Sequence, residues 1–212
     1  GGLQQKWQIF EKNIKPIFVE PDKRSALELK NKKLQVIEKI FWSEEKKLVL
    51  NLTKKFETSS VYEPNREYLD LFPDSERYNI LNKINLNATT LDKEIKADQQ
   101  PDFIKIDIQG AELEVLKGSV NTLKNVLGLE VEVNFKEIYK KIPLAHDVEK
   151  FLYFGIEWRP KTHLNVSKDK SESIIKMLEN LDEDEDVQHE TAVHWCTHDD
   201  CLEETECFST AA

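Results

Sequence analysis

The stretch KIDIQGAELEVLKG, Lys105 to Gly118, concentrates polar groups at one point of the chain. It reads as a strand, a turn at Gly110 and a helix. Strand alternation puts Lys105, Asp107 and Gln109 on one face and Ile104, Ile106 and Ile108 on the other. Glu112 follows just past the turn. A central strand covered by helices is apolar on both faces. Three polar residues on one face therefore cost desolvation unless a ligand or partners meet them. In open α/β sheets ligands bind at the carboxyl ends of strands. The competing reading is an edge strand with one wet face.

A second constellation opens the chain. Gly1 and Gly2 precede a helix, and Glu20 ends the strand-like KPIFVEPD, 18 residues after Gly2. A glycine turn lets the backbone approach a nucleotide, and an acid about 20 residues on accepts from vicinal ribose hydroxyls. Nicotinamide cofactors are held the same way. The plainer readings are a cloning scar for the glycines and a helix-terminal charge for Glu20. A third constellation, HWCTHDDCLEETEC, interleaves His194 and His198 with Cys196 and Cys201. Such residues bind zinc, but this spacing matches no closed finger, and a solvent-exposed tail is the expected reading. His146, alone at a predicted helix start, is read as a cap or surface group.

The elements that would position these groups alternate regularly. LQQKWQIFEKN carries Trp7 and Phe10 at helical spacing, with Ile14 next in that series. Asp22 is placed to cap a helix over KRSALELKN. KLQVIEKIFW and KKLVLNLT read as strands with period-two character. KFETSSVYEPN is a polar loop, REYLDLF a short helix, and YNILNKINLNATTL one or two strands. After DFIKIDI, the segment AELEVLKGSVNTLKN predicts one helix with Leu113, Leu116, Val120 and Leu123 on its apolar face. VLGLEVEVNF is a further strand. HDVEKFLYFG is a helix stopped by Gly155. IEWRP and THLNV suggest a closing strand pair, and SESIIKMLENL one more helix. This alternation predicts an α/β fold with a mostly parallel sheet covered by helices.

Composition fits a soluble globular chain of 212 residues, 39% hydrophobic and 33% charged. No apolar run approaches the roughly 18 residues that span a bilayer. The net charge of -10 is unevenly spread. All 30 Lys and Arg precede Leu178, and 12 of the 40 acids lie between Glu179 and Glu206. The body is thus nearly neutral, with no footprint for nucleic acid, and the tail would repel it. DEDEDV is a like-charge run of the kind that stays solvated. The three cysteines all lie in this tail, so the body needs no disulfide, which favours a reducing, cytoplasmic setting.

Six segments occur together in an order that resembles the FkbM family of S-adenosylmethionine-dependent methyltransferases. They are FVEPDK, SSVYEPN, TTLDKEI, PDFIKIDIQGAELEVLKGS, LGLEVEVNFKEIYKKIPL and FLYFGIEW. The resemblance implies a Rossmann-like, doubly wound fold over residues 1–165, with 166–212 as an acidic extension. It implies that the family's first strand and most of its glycine loop precede Gly1, so that the 212 residues alone would hold the cofactor weakly or not at all.

The family's site residues carry over by position. Gly1 and Gly2 match the end of the cofactor loop, and Glu20 the acid for the ribose hydroxyls. Phe41, Trp42 and Ser43 fall near the adenine. Ser59 and Ser60 match paired serines. Asp107 and Gly110 fall beside the methyl donor, and Glu132 faces the same cleft. The expected reaction is methyl transfer from S-adenosylmethionine to a hydroxyl of a small molecule, a sugar or natural product. Asp107 and Glu132 are the candidate proton acceptors. A divalent ion on these two carboxylates is compatible with their chemistry, though nothing in the spacing requires one. The rivals are a nicotinamide-dependent oxidoreductase and a catalytically inactive binding module of the same fold.

Overall fold

The computed structural model describes residues 13–156, 158 and 191–193. Strand β1 (Ile17–Val19) leads into helix α1 (Lys23–Asn31) and strand β2 (Gln35–Ile37). As its sequence position predicts, Asp22 caps α1, accepting from the backbone N–H groups of Arg24 and Ser25. β1 and β2 pair in parallel, so α1 is a crossover between them. KLQVIEKIFW does not form one strand. It breaks after Ile37, where Glu38 pairs with Lys30 of α1, and β3 (Ile40–Phe41) joins a different sheet.

That sheet is built on an antiparallel pair, β4 (Lys46–Thr53) and β5 (Ile80–Thr89), with a register shift at Leu52/Thr53. β3 lies parallel to the end of β5. Between β4 and β5 the chain makes a polar excursion with 3-10 turns at Phe56–Thr58 and Ser75–Tyr78 and the short helix α2 (Arg66–Leu69). Helix α3 (Leu91–Glu94) follows β5.

The third sheet carries the candidate site. β6 (Phe103–Ile106) runs parallel to β7 (Gly128–Glu132), and β8 (Thr191–Val193) pairs antiparallel with the other side of β7. β8 falls inside the acidic tail. The helix predicted between β6 and β7 is two helices, α4 (Glu112–Lys117) and α5 (Val120–Leu123). The break falls at Gly118, where an added Cβ would stand 2.1 Å from the Trp42 carbonyl oxygen. Only a glycine lets the two backbones approach so closely. Helix α6 (Ala145–Lys150) continues into a wider turn over Phe151–Gly155.

The main core lies between this sheet and its helices. Ile106 of β6 and Leu129 and Val131 of β7 pack with Leu113, Leu116 and Leu123 from the helices and with Val148 and Leu152. All five residues of β7 are buried, as expected of a strand covered on both faces. The alternation of helix and strand is thus present as an α/β fold. It is distributed over small sheets of two, three and three strands among the described residues. β6, read from sequence as a central strand, stands at the outer side of its sheet there.

Candidate functional site

Parallel pairing brings two polar strand faces together. The register sets Lys105 beside Glu130, and one step past the last registered pair Asp107 stands beside Glu132. Lys105 Nζ donates to the fully buried Glu130 carboxylate and lies 3.9 Å from Asp107 Oδ2. The polar face of KIDIQ therefore meets partners on β7, which accounts for its tolerance beside a buried strand.

The chain turns sharply beyond Asp107. Gln109 and Gly110 both take left-handed backbone conformations, with φ of 59° and 99°. The Glu112 carboxylate, 3% exposed, accepts from the backbone N–H of Ile108 at 2.9 Å and of Gly110 at 3.1 Å. Ser60, also buried, donates its hydroxyl to the Gln109 carbonyl at 2.6 Å. Held on both sides, Gln109 points its amide Nε2 at Asp107 Oδ1, 3.4 Å away, and Glu132 Oε2, 3.2 Å away. Its Oε1 lies 3.1 Å from the hydroxyl of Tyr139, which also reaches the Thr58 carbonyl.

Burial chiefly pushes the Glu132 carboxyl up to about 8. A hydrogen bond to Asp107 and the negative charges of Asp107 and Glu112 add to this, and Lys105 opposes it. Burial also raises Glu112, against the three backbone N–H groups that favour its charge. Tyr139 is raised beyond any useful range, first by burial, and is a neutral hydroxyl at all working pH values. Tyr62 is pushed up to about 12 by burial and by Glu114 and Glu112.

The sequence candidates fall in three groups. Asp107, Gly110 and Glu132 stand together, with Asp107 exposed and Glu132 buried. Trp42 and Ser43 lie alongside α4, the Trp42 carbonyl against Gly118 and the Ser43 hydroxyl on Glu114. The Trp42 ring is buried with Ala88 and Ala111, lies 6.2 Å from the Tyr62 ring and carries Lys46 over its face. Its Nε1 is buried without a partner. Ser43 donates to Glu114 at 2.5 Å. Glu20 ends β1 in the two-stranded sheet. Its N–H bonds the Ile37 carbonyl, its Oε1 accepts from Asp22 N, and its Oε2 has no partner among the described residues. Gly1, Gly2 and the tail cluster His194, Cys196, His198 and Cys201 lie outside the described residues. His146 is exposed at the start of α6.

Sequence reading named Gln109 and Glu112 as polar groups at the turn and Ser60 as one of two paired serines without giving them a positioning role, and it left Tyr139 out altogether. Glu112 had a local signal, an acid two residues past a glycine turn. Tyr139 had none, since it lies 30 residues from Gln109. Among the described residues no group of three or more His, Cys, Asp or Glu is arranged to hold a metal ion. No described helix is long and apolar enough to cross a membrane.

A curated relative from Pelagibacter ubique (strain HTCC1062), named "Probable transcriptional regulatory protein SAR11_0592", is 35% identical over 83 residues. That match covers 39% of this chain and 34% of the relative, so the chain spans about a third of the curated protein it matches. No solved structure matches the chain significantly. The Methyltransferase FkbM domain, in contrast, matches residues 8–163, a span that takes in β1 through β7 and every part of the carboxylate cluster. The chain belongs to the FkbM methyltransferase domain family.

Proposed function

We propose that this chain transfers a methyl group from S-adenosylmethionine to a hydroxyl of a small molecule, a sugar or natural product, within a doubly wound Rossmann-like domain. The observation that carries this reading is the Asp107–Glu132 pair at the carboxyl ends of two adjacent parallel strands. Ligands of α/β sheets bind at that end. Residues of this chain meet part of the cofactor's needs. Glu20 offers an unpartnered Oε2 at a strand end, suited to accept from ribose hydroxyls, and the orphaned Trp42 Nε1 is a buried donor on the side of α4.

When bound, S-adenosylmethionine supplies a methyl group already activated on a sulfonium. The chain's own task is to align the acceptor and remove its proton. With Glu132 raised to about 8, the pair holds one proton between two carboxyls over the neutral range. The unprotonated member would take the acceptor's O–H proton. Asp107, the more exposed member, returns that proton to solvent. Gln109 donates to both carboxyls and fixes their separation. Lys105, held by Glu130, lies beside them without entering the reaction.

The test is calorimetric titration of the full-length protein with S-adenosylmethionine, its demethylated product and a nicotinamide dinucleotide. Binding of the first two and not the third is expected. Binding of the nicotinamide cofactor alone would replace this reading with the oxidoreductase one.

A further inference from the structure

A cavity of about 390 Å³ opens beyond the carboxyl end of β7. One wall is the excursion between β4 and β5, from Tyr68 to Tyr78, and the other is the segment Val133–Ile138. The two walls are stitched together. Asn65 N donates to the Ile138 carbonyl at 3.0 Å and Asn65 Nδ2 to the Glu137 carbonyl at 2.8 Å. Arg66 Nη1 donates to the Ser75 carbonyl at 2.9 Å and ties the loop to α2. The cavity is therefore a built feature and not a gap between loose loops.

Its lining has a definite chemistry. Phe72 and Phe135 stand at the mouth, 51% and 57% exposed, with the Tyr68 ring packed edge-on against Phe72 at 5.2 Å. Exposed rings facing a cavity offer flat apolar faces to a ligand ring. Ser75 and Asn134 add polar groups. Arg77 and Lys136 supply two cations against the single carboxylate of Asp74. Arg77 lies over the Tyr78 ring, and neither cation makes an ion pair with a described carboxylate. Tyr78 forms the floor and packs edge-on against Tyr139 at 5.9 Å. Tyr139 in turn reaches Gln109, which holds Asp107 and Glu132. One layer of rings separates the cavity from the carboxylate pair.

We propose that this cavity binds a hydroxylated ring bearing a carboxylate or phosphate, the ring lying between Phe72 and Phe135 and the anion on Arg77 and Lys136. The buried rings of Tyr78 and Tyr139 keep that ligand off Asp107 and Glu132, so its use as the methyl acceptor would need those rings to part and would rest on the methyltransferase reading above. The pocket itself does not. Charge-assisted hydrogen bonds from Arg and Lys suit both anions, and sugar faces and aromatic rings both pack on Phe. The shared chemistry is a ring plus an anion, and the probes separate the two sources.

The full-length protein, without cofactor, is titrated with glucose 6-phosphate and 4-hydroxybenzoate, and with their neutral counterparts glucose and phenol. One anionic probe should bind at one site per chain, and its neutral counterpart should bind at least about tenfold more weakly. Arg77→Met should weaken the anion about tenfold, the loss of one charge-assisted hydrogen bond. Phe135→Ala should weaken both ring-bearing forms alike. Both side chains are at the surface of the cavity, and an unchanged Tm verifies that the variants fold. Equal binding of neutral and anionic probes, binding indifferent to both substitutions, or no binding of either anion would each overturn the proposal. Cofactor affinity, measured separately, distinguishes the two readings. Its absence would remove methyl transfer and leave a pocket that still binds the anion.

Discussion

Asp107 and Glu132 do their work as a pair, and single substitutions should separate chemistry from stability. Asp107→Asn and Glu132→Gln are each expected to lower kcat about 100-fold, the scale of a lost general base, while the Tm of Asp107→Asn shifts little. Wild-type turnover in Asp107→Asn would leave that residue with a structural role only. The raised Glu132 also has a thermodynamic consequence. Its folded form holds a proton that the unfolded chain releases near the ordinary glutamate value, so folding is favoured most at low pH. That contribution is lost as pH rises toward about 8. Between about pH 5 and about pH 9 the Tm of Glu132→Gln should fall less than that of the parent. Parallel Tm curves for the two proteins would show that Glu132 titrates normally. Much of this pair was readable from residue types. Asp107 and Glu132 declared themselves as acids ending strand-like runs. Gln109 was visible as a polar residue and Glu112 as an acid past the turn, but the left-handed turn also depends on Ser60, 49 residues away, and that distant support leaves no mark nearby.

At the scale of elements, period and composition identified β6, β7 and the helical run between them. They could not show that the run breaks, because GS within an otherwise helical pattern is only a mild penalty. The break is a packing event, the carbonyl of Trp42 lying where a side chain would be. Gly118→Ala should therefore cost about 1–3 kcal/mol in a urea titration, the scale of overpacking against an unyielding backbone. It should also loosen the Ser43–Glu114 contact. A neutral result would mean that the two backbones separate freely. The split of KLQVIEKIFW has a similar origin. Its apolar residues look continuous, but β2 and β3 belong to different sheets, and partner choice is not written in a strand's own pattern.

For the whole molecule, sequence reading captured the α/β class and missed the cavity altogether. The cavity's walls come from segments near residues 70 and 135, and each looks like an ordinary loop. The extension contributes Thr191–Val193 to the edge of β7, although its composition led us to expect a solvent-exposed tail. Truncation after Asn180 removes those ladder bonds. At ~1 kcal/mol net per hydrogen bond, Tm should drop by about 2–4 °C for each kcal/mol lost. An unchanged Tm would mean that the extension lends the fold nothing. The turn after Asp107 bears on how the molecule opens. Ile108 is 39% exposed and sits in a loop, where amide protons ordinarily trade with solvent in moments. Yet its amide and that of Gly110 are bonded to a buried carboxylate, which cannot release them without being drawn out of the core. In deuterated water these two amides should stay protonated as long as those of β7, and in Glu112→Ala they should exchange with the surface. A loop at the mouth of the site would then keep the time of the core.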